Sequence, residues 1–453
     1  MPDSAFSLDI PCAPFAFDVL SFTGCEAISQ PYVFAVDVAC HDDALDIRSL
    51  MYAAVFLAFK DGKGGFHGQV HGIVRRHFLP GPACYRLTFG PRLACLGQRH
   101  NQRIFQDLTA LEIIARVLLE HGIRDNGYCF ELKTECQPRA YCAQYHETDL
   151  QFVERLCAEE GIHYHFRHSR QGHELVFGEG LRSFRRTPEA HFQRVANLPG
   201  VQRFAVSHEA RDIPGSRVQQ TAEGESTLPF LSAGQLLPLA GHPQAEWNHL
   251  WLVTHVRHRG GYANGPVYSN QWSATPWEVG FRPQAPRHAA RRLDVQRAHV
   301  IGPIADQAHL DTQGRVCVRF DWALSECWLP VTERLQGCDD EGRARLRAGM
   351  QVVVSFLQGD TDQPLVTGCL LAQPVAAMPV AALPAPAEEK RCIEAWLDPR
   401  TLLGEARSLQ VVGGPSISFD DGCQLLFRVG DNTLGLDGQT LKLSANRLSV
   451  SLD

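Results

Sequence analysis

Several features that would assign this chain to a common class are missing from its sequence. The 453 residues contain no run of about 18 apolar residues, so no helix is predicted to cross a membrane. The N-terminal residues have neither the basic segment nor the apolar stretch of a signal peptide, and we expect none. Net charge is −7, with 43 Lys and Arg against 50 Asp and Glu, so a basic surface for nucleic acid is not expected.

The motifs of common catalytic sites are missing as well. There is no Gly-x-Ser-x-Gly nucleophile motif, no His-Glu-x-x-His zinc motif and no phosphate-binding loop. Asp360 and Asp362 stand two residues apart and could mimic a catalytic pair of carboxylates. They lie in Gly-Asp-Thr-Asp-Gln-Pro, however, which is typical of a turn where Asp bonds its own backbone. We therefore predict no catalytic residue and no cofactor.

Cysteine and histidine offer two hypotheses for a metal site. The chain has 15 cysteines, but none forms a Cys-x-x-Cys pair, and their irregular spacing indicates small buried side chains in a reduced protein. His163 and His165 are predicted to share one strand face, as are His67 and His71. No further ligand is spaced to complete either group. Strands that present their polar side are therefore the favoured interpretation, and no metal is predicted.

The patterns that are present predict a mainly β protein with a few short helices. Short strands rich in β-branched and aromatic residues recur in the N-terminal part, at a spacing typical of a barrel. Two helices are indicated by capping boxes, in which side chains satisfy free backbone N–H groups. Thr109 with Glu112 forms the first box, and Thr148 with Gln151 forms the second. Gly161 stands where the second helix should end.

A seven-residue unit occurs three times in succession in residues 433–453. Each unit holds an apolar pair two residues apart, and the alternation of a strand puts both members on one face. Because units this short cannot bury that face in one chain, we expect several chains to wind around one axis. The predicted core residues of this assembly are Leu434, Leu436, Leu441, Leu443, Leu448 and Val450.

Several segments resemble one protein family. Residues 141–166 read as strand, capped helix and strand, and they contain Glu147-Thr148-Asp149 and Glu159-Glu160-Gly161-Ile162. This run is similar to the corresponding segment of VgrG proteins. Those proteins are the trimeric spike and hub components of type VI secretion systems, and they resemble the hub and needle of contractile phage tails. Residues 314–322 and 356–368 are similar to the OB-type barrel of the same family.

The resemblance implies a chain of five parts, which together combine β-barrels with a C-terminal trimeric β-helix or prism. The hub module of β-barrels would occupy residues 1–285 and a connector 286–298. The OB-type barrel would follow at 299–372, an Ala/Pro-rich linker at 373–392, and the start of the β-helical spike at 393–453.

The resemblance also implies a non-enzymatic function. A homotrimer would cap the hexameric tail-tube protein, carry effector cargo and a PAAR-type tip protein at its C-terminal end, and puncture the target membrane mechanically. It would be made in the cytoplasm and exported through the contractile apparatus without a signal peptide. Two alternatives stay open. One is a phage-like baseplate hub with a cell-wall-degrading activity in residues 180–285, and the other is an OB module that binds nucleic acid.

Overall fold

A computed structural model provides the fold. The chain forms two compact units, Met1–Leu371 and Ala372–Asp453. Among the described residues we find no helix with the length and hydropathy that a bilayer crossing requires. The residues described are 5–13, 16–40, 47–59, 64–76, 83–193, 198–209, 219–261, 267–283, 295–302, 308, 310–337 and 345–370, together with five C-terminal strands.

The N-terminal part combines strands with two α-helices. Its strands are β1 (Phe6–Asp9), β2 (Asp18–Ala27), β3 (Gln30–Cys40), β4 (Ala54–Phe59), β5 (Gly65–Arg76), β6 (Ala83–Gly90), β7 (His100–Phe105), β8 (Tyr128–Glu131), β9 (Cys142–Thr148), β10 (His163–His168) and β11 (His173–Gly178). The helices are α1 (Ala110–Glu120) and α2 (Asp149–Glu160). Along β2 and β3 nearly every second residue is buried, as expected for strands with one face on a core.

The next residues complete the same sheet. They form β12 (Arg185–Arg186), β13 (Ala190–His191), β14 (Val201–Glu209), β15 (Gln219–Ser226), β16 (Gln235–Ala240), β17 (Leu250–Gly260) and β18 (Tyr268–Pro276). The strand order is β1-β4-β5-β6-β3-β2-β17-β18-β15-β14, and β16 joins through β17. Since β2 pairs directly with β17, the chain before residue 100 and the chain after residue 200 share one sheet.

Both predicted helices begin at the predicted capping boxes. In α2 the Thr148 hydroxyl accepts a hydrogen bond from the Gln151 backbone N–H at 3.2 Å, and the Gln151 side chain accepts from the Thr148 N–H at 2.9 Å. The box of Thr109 and Glu112 at α1 has the same reciprocal pattern. Gly161 ends α2 with φ of 71°, in the left-handed region.

We expect Thr148→Ala to lower the free energy of unfolding by about 1 kcal/mol, because the Gln151 N–H loses its partner at the start of α2. Urea denaturation of the full chain measures the change. Thr109→Ala is the matched variant, since it removes the same hydroxyl from the box of α1, and a similar loss is expected there. Unchanged unfolding midpoints in both variants would contradict the argument.

The histidines of β10 correct one expectation. Strands β10 and β11 are antiparallel, and β8 joins β11 in a three-stranded sheet. His163 and His165 are only 0% and 3% exposed, so the prediction of a polar face is wrong. The reason is that the Phe184 ring stacks on His163 with centroids 4.3 Å apart, and residue Gly234 lies close against His165. Burial lowers the pKa of His163 to about 4 and that of His165 to about 3, so both are neutral at pH 7.

A smaller sheet follows the large one. Its strands are β19 (Gln296–Val300), β20 (Val316–Phe320), β21 (Cys327–Leu329), β22 (Gln351–Phe356) and β23 (Pro364–Leu370), in the order β21-β20-β19-β22-β23. All four strand pairings are antiparallel. An isolated parallel bridge between Val331 and Val366 links the end of β21 to β23, and so brings the two edges of the sheet together. This closure makes a small barrel.

The C-terminal unit contains an antiparallel five-stranded sheet. Its strands are β24 (Arg407–Gln410), β25 (Ser416–Phe419), β26 (Leu425–Val429), β27 (Asn432–Leu436) and β28 (Leu441–Ser444), paired in chain order. Leu434 pairs with Leu443 and Leu436 pairs with Leu441, which places these four positions on one face of the sheet. The other two predicted core residues, Leu448 and Val450, lie outside the described residues. The trimer core therefore stays a prediction.

Candidate functional site

The small barrel is fixed to the N-terminal module at a junction made by β9, α2 and the turn before β23. At its centre is Asp362. One carboxylate oxygen of Asp362 accepts a hydrogen bond from the Ala143 backbone N–H at 2.7 Å, and the other accepts from Arg155 Nη1 at 3.0 Å. The two charged side chains are 16% and 11% exposed. Both oxygens of one carboxylate thus hold the barrel to the module.

Arg155 collects the other groups of this junction. Its Nη2 donates to the Ala143 carbonyl at 2.7 Å and to Glu147 at 2.8 Å, and its Nη1 also donates to Glu159 at 3.1 Å. Burial raises the pKa of Glu147 and of Asp362 above the ordinary carboxyl range, while the positive charge of Arg155 opposes that rise. One guanidinium therefore ties together β9, α2 and the small barrel.

A second set of contacts continues the junction along β21. The Gln106 side chain accepts from the Trp328 N–H and donates to the Trp328 carbonyl, both at 2.8 Å, so it binds the backbone of β21 as another strand would. The rings of Tyr145 and Trp322 lie edge to face at 5.0 Å. Tyr141 of the N-terminal module is buried in the same apolar cluster as the barrel interior. The barrel core and the module are therefore packed as one body.

Asp149, at the start of α2, supports the junction from inside the N-terminal module. Its side chain is fully buried, and its oxygens accept hydrogen bonds at 2.5–3.2 Å. Burial alone would raise the pKa of Asp149, but these hydrogen bonds hold it at about 2. The buried negative charge also stabilises α2, because it lies at the N-terminus, where the helix dipole is positive. The five donors are Arg99, Asn101, Arg103, His121 and Gln144.

Family models match the two parts that meet at this junction. Residues 25–212 match the phage tail baseplate hub (GPD), and residues 300–371 match the OB domain of type VI secretion and phage-baseplate injectors. Over 459 aligned residues the chain is 37% identical to the type VI secretion system spike protein VgrG4b of Pseudomonas aeruginosa, and the match covers 82% of this chain and 57% of that protein. The chain belongs to the VgrG family. A second relative is the spike protein VgrG5 of the same organism, 38% identical over 450 residues, with 81% of this chain and 57% of that protein covered.

Solved structures show the same fold for this VgrG-family chain. The E. coli c3393 protein matches with a TM-score of 0.68 and 24% identity, over 80% of this chain and 99% of that chain. It is described as a component of the type VI secretion system with structural similarity to the phage T4 tail proteins gp27 and gp5. A Francisella PdpA–VgrG complex matches with a TM-score of 0.51 and 9% identity, over 97% and 87% of the two chains. The expected mainly β fold with an OB-type barrel is confirmed.

The residues singled out from the sequence of this VgrG-family chain have different places. Asp360 accepts hydrogen bonds from the Asp362 N–H at 2.9 Å and from the Gln363 side chain at 3.1 Å, which is the predicted turn. The role of Asp362 was missed, because its partner Arg155 is 207 residues away in the sequence. The shared resemblance of both segments to VgrG proteins was the signal that could have linked them.

Of the histidines in the metal hypothesis, His163 and His165 have ring centroids 6.1 Å apart, whereas His67 and His71 have different neighbours. The His67 side chain lies beside His173, with 3.1 Å between the Nδ1 atoms, while His71 lies 3.6 Å from the Cys95 sulfur. Within the part of the chain that the structure describes, no three His, Cys, Asp or Glu side chains are arranged to hold a metal ion.

Proposed function

We propose that this chain is the trimeric spike and hub of a type VI secretion system and that it works without catalysis. The family supports this, since both relatives are spike proteins. The observation that carries the mechanical part is the junction. A spike that transmits force along its axis must not bend between its barrel and the hub module. Here the OB-type barrel is held to the N-terminal module by the Asp362–Arg155 pair and by a shared apolar cluster. The chain spans 57% of the length of each of these two relatives.

The rest of the proposal concerns partners. Three copies would cap the hexameric tail-tube protein and present the C-terminal end to a PAAR-type tip protein. Effector cargo would travel with this assembly, and the Francisella VgrG that shares the fold is in a complex with PdpA. Export would take place through the contractile apparatus, with puncture of the target envelope as a mechanical step.

We expect light scattering to give the mass of a trimer for the full chain and a smaller assembly for a chain cut after Gln373, because the C-terminal repeats would supply the shared core. Leu443→Asp should weaken the trimer, since a charge in a core of several chains is costly. Lys442→Asp is the matched control, because position 442 pairs with Gly435 on the other face of the sheet. A monomeric full chain would contradict the proposal.

The alternative of a phage-like hub with a wall-degrading activity concerns residues 180–285. The described part of this segment supplies β14 to β18 to the large sheet and buries Trp251 and Trp272 in its own apolar cluster. These features support a structural role. Turnover of purified cell wall by the full chain would favour the alternative instead.

A further inference from the structure

A half-open cavity of 340 Å³ lies between β5, the loop after α1, and β11. One wall is apolar and includes Leu93, Ile123 and Leu175. The polar part of the lining has no Asp or Glu; it comprises Tyr52, His67, Gln69, Arg92, Arg124, Asn126 and His173. Cationic and hydrogen-bonding groups thus face one space whose described lining contains no anionic side chain.

The two arginines of the cavity are exposed, and their charges are not neutralised by the described residues. Arg92 Nη1 donates to the Gly122 carbonyl at 3.0 Å. Neither Arg92 nor Arg124 has a described carboxylate oxygen within 4.0 Å. A guanidinium binds the oxygens of a phosphate or sulfate group through two parallel N–H donors. The opening of the cavity is therefore suited to an oxyanion.

The two histidines form an unusual pair deeper in the cavity. Their Nδ1 atoms are 3.1 Å apart, so one Nδ1 must carry the single hydrogen that lies between them. Burial lowers the pKa of both His67 and His173, the latter to about 3, and the positive charge of Arg92 adds to the effect on His173. The pair is uncharged at pH 7, and a second proton would be repelled unless an anion lay nearby.

The groups that face this pair come from every neighbouring element. From β10, His168 Nδ1 accepts the His67 backbone N–H at 3.2 Å, and His168 Nε2 lies 3.0 Å from Glu26 of β2. His71 of β5, whose own pKa is lowered by burial, and the positively charged Arg92 are the other titratable and charged groups that act on His173. The carboxylate among these groups is Glu26, and it is engaged by His168 and by His258.

We propose that this cavity binds an oxyanion of the phosphate or sulfate class, held by Arg92 and Arg124, and that the His67–His173 pair takes up one proton when the anion binds. A transition metal between the two Nδ1 atoms is the competing interpretation. It is disfavoured by the positive charge of Arg92 and by the lack of a third ligand among the described residues.

The test is isothermal titration of the full chain with sodium sulfate at pH 6 and pH 8, with sodium chloride holding the ionic strength constant. Sulfate keeps its charge across this range, so a change in affinity reports on the protein. We expect affinity to be about fivefold higher at pH 6, since a positive charge on the pair favours the anion. Arg124→Gln should weaken binding about tenfold, and His173→Asn should remove the pH dependence.

Arg116→Gln is the matched control, because Arg116 is an exposed arginine on α1 that does not line the cavity. The proposal would be overturned if sulfate gave no more binding heat than chloride. It would also be overturned if Arg116→Gln and Arg124→Gln weakened sulfate binding equally. Zn²⁺ binding that His173→Asn abolishes, without a response to sulfate, would favour the metal instead. Circular dichroism verifies that the variants are folded.

Glycerol phosphate and inorganic phosphate distinguish the two sources of such an anion. Tighter binding of the ester would indicate a ligand whose organic part contacts the apolar wall of Leu93, Ile123 and Leu175. Equal binding would indicate free phosphate. Either result supports the proposal only if the protein also binds sulfate and Arg124→Gln weakens that binding.

Discussion

Asp149→Ala is expected to lower the free energy of unfolding at pH 7 by about 4 kcal/mol. Asp149 is fully buried and is the common acceptor for two arginines, a histidine, an asparagine and a glutamine. Its removal leaves Arg103, whose side chain is 19% exposed, and the more exposed Arg99 with Glu120 as their remaining carboxylate partner, and the loss of one partner from a largely buried ion pair is costly. The start of α2 also loses a favourable anion.

The pH dependence of stability gives the sharper measurement. The pKa of Asp149 is about 2 in the folded chain and about 3.9 in an unfolded one. Because the folded value is depressed, the stabilisation is present above pH 4 and is lost as the pH falls from 4 through 2. Urea denaturation of the wild type should show a loss of about 2 kcal/mol across this window that Asp149→Asn does not show.

Asp125→Asn is a suitable control for this experiment, because its carboxylate is exposed and accepts a hydrogen bond from the Tyr128 hydroxyl, three residues away. Its stability should stay within about 0.5 kcal/mol of the wild type. If the difference between wild type and Asp149→Asn were the same at pH 2.5 and pH 6, the carboxylate would not have the role assigned to it.

Asp362→Ala is expected to cost about 3 kcal/mol, since it leaves Arg155 without one carboxylate and the Ala143 N–H without its acceptor. The loss of stability should be largest at the junction between the small barrel and the N-terminal module. Hydrogen exchange should increase in β9 and in the small barrel, and much less in β1 to β6.

A double-mutant cycle separates this junction from general destabilisation. The coupling energy between Asp362→Ala and Arg155→Ala should exceed about 1 kcal/mol, as for groups in direct contact. Asp360→Ala, in the same turn, is the matched control and should lose only about 1 kcal/mol because its hydrogen bonds are local. Additive effects of the Asp362 and Arg155 substitutions would contradict the proposed clamp.

Features governed by neighbouring residues were predictable from the sequence. The capping box of Thr148 and Gln151, the left-handed Gly161 and the turn at Asp360 depend on groups at most three residues apart, and each is confirmed. Short strands in the N-terminal part were also indicated by their β-branched and aromatic residues. The OB-type barrel was suggested by resemblance to a family, and the family models agree.

Features created by distant parts of the chain were not predictable in the same way. His163 and His165 are polar in the sequence, but Phe184 and the segment around Gly234 bury them. His67 of β5 meets His173 of β11, a strand of a different sheet, at a sequence separation of 106. Alternation along a strand indicates which residues share a face, but it does not indicate what covers that face.

The direct pairing of β2 with β17 has a consequence for synthesis. Cys25 and His255, which touch across these two strands, are 230 residues apart. Because translation adds about 5–20 residues per second, roughly 10–50 s pass between the synthesis of β2 and the synthesis of β17. During that interval one edge of an apolar sheet stays unpaired and accessible to other nascent chains. We therefore expect a chaperone to bind the chain early in translation and to release it once residue 260 has emerged from the ribosome.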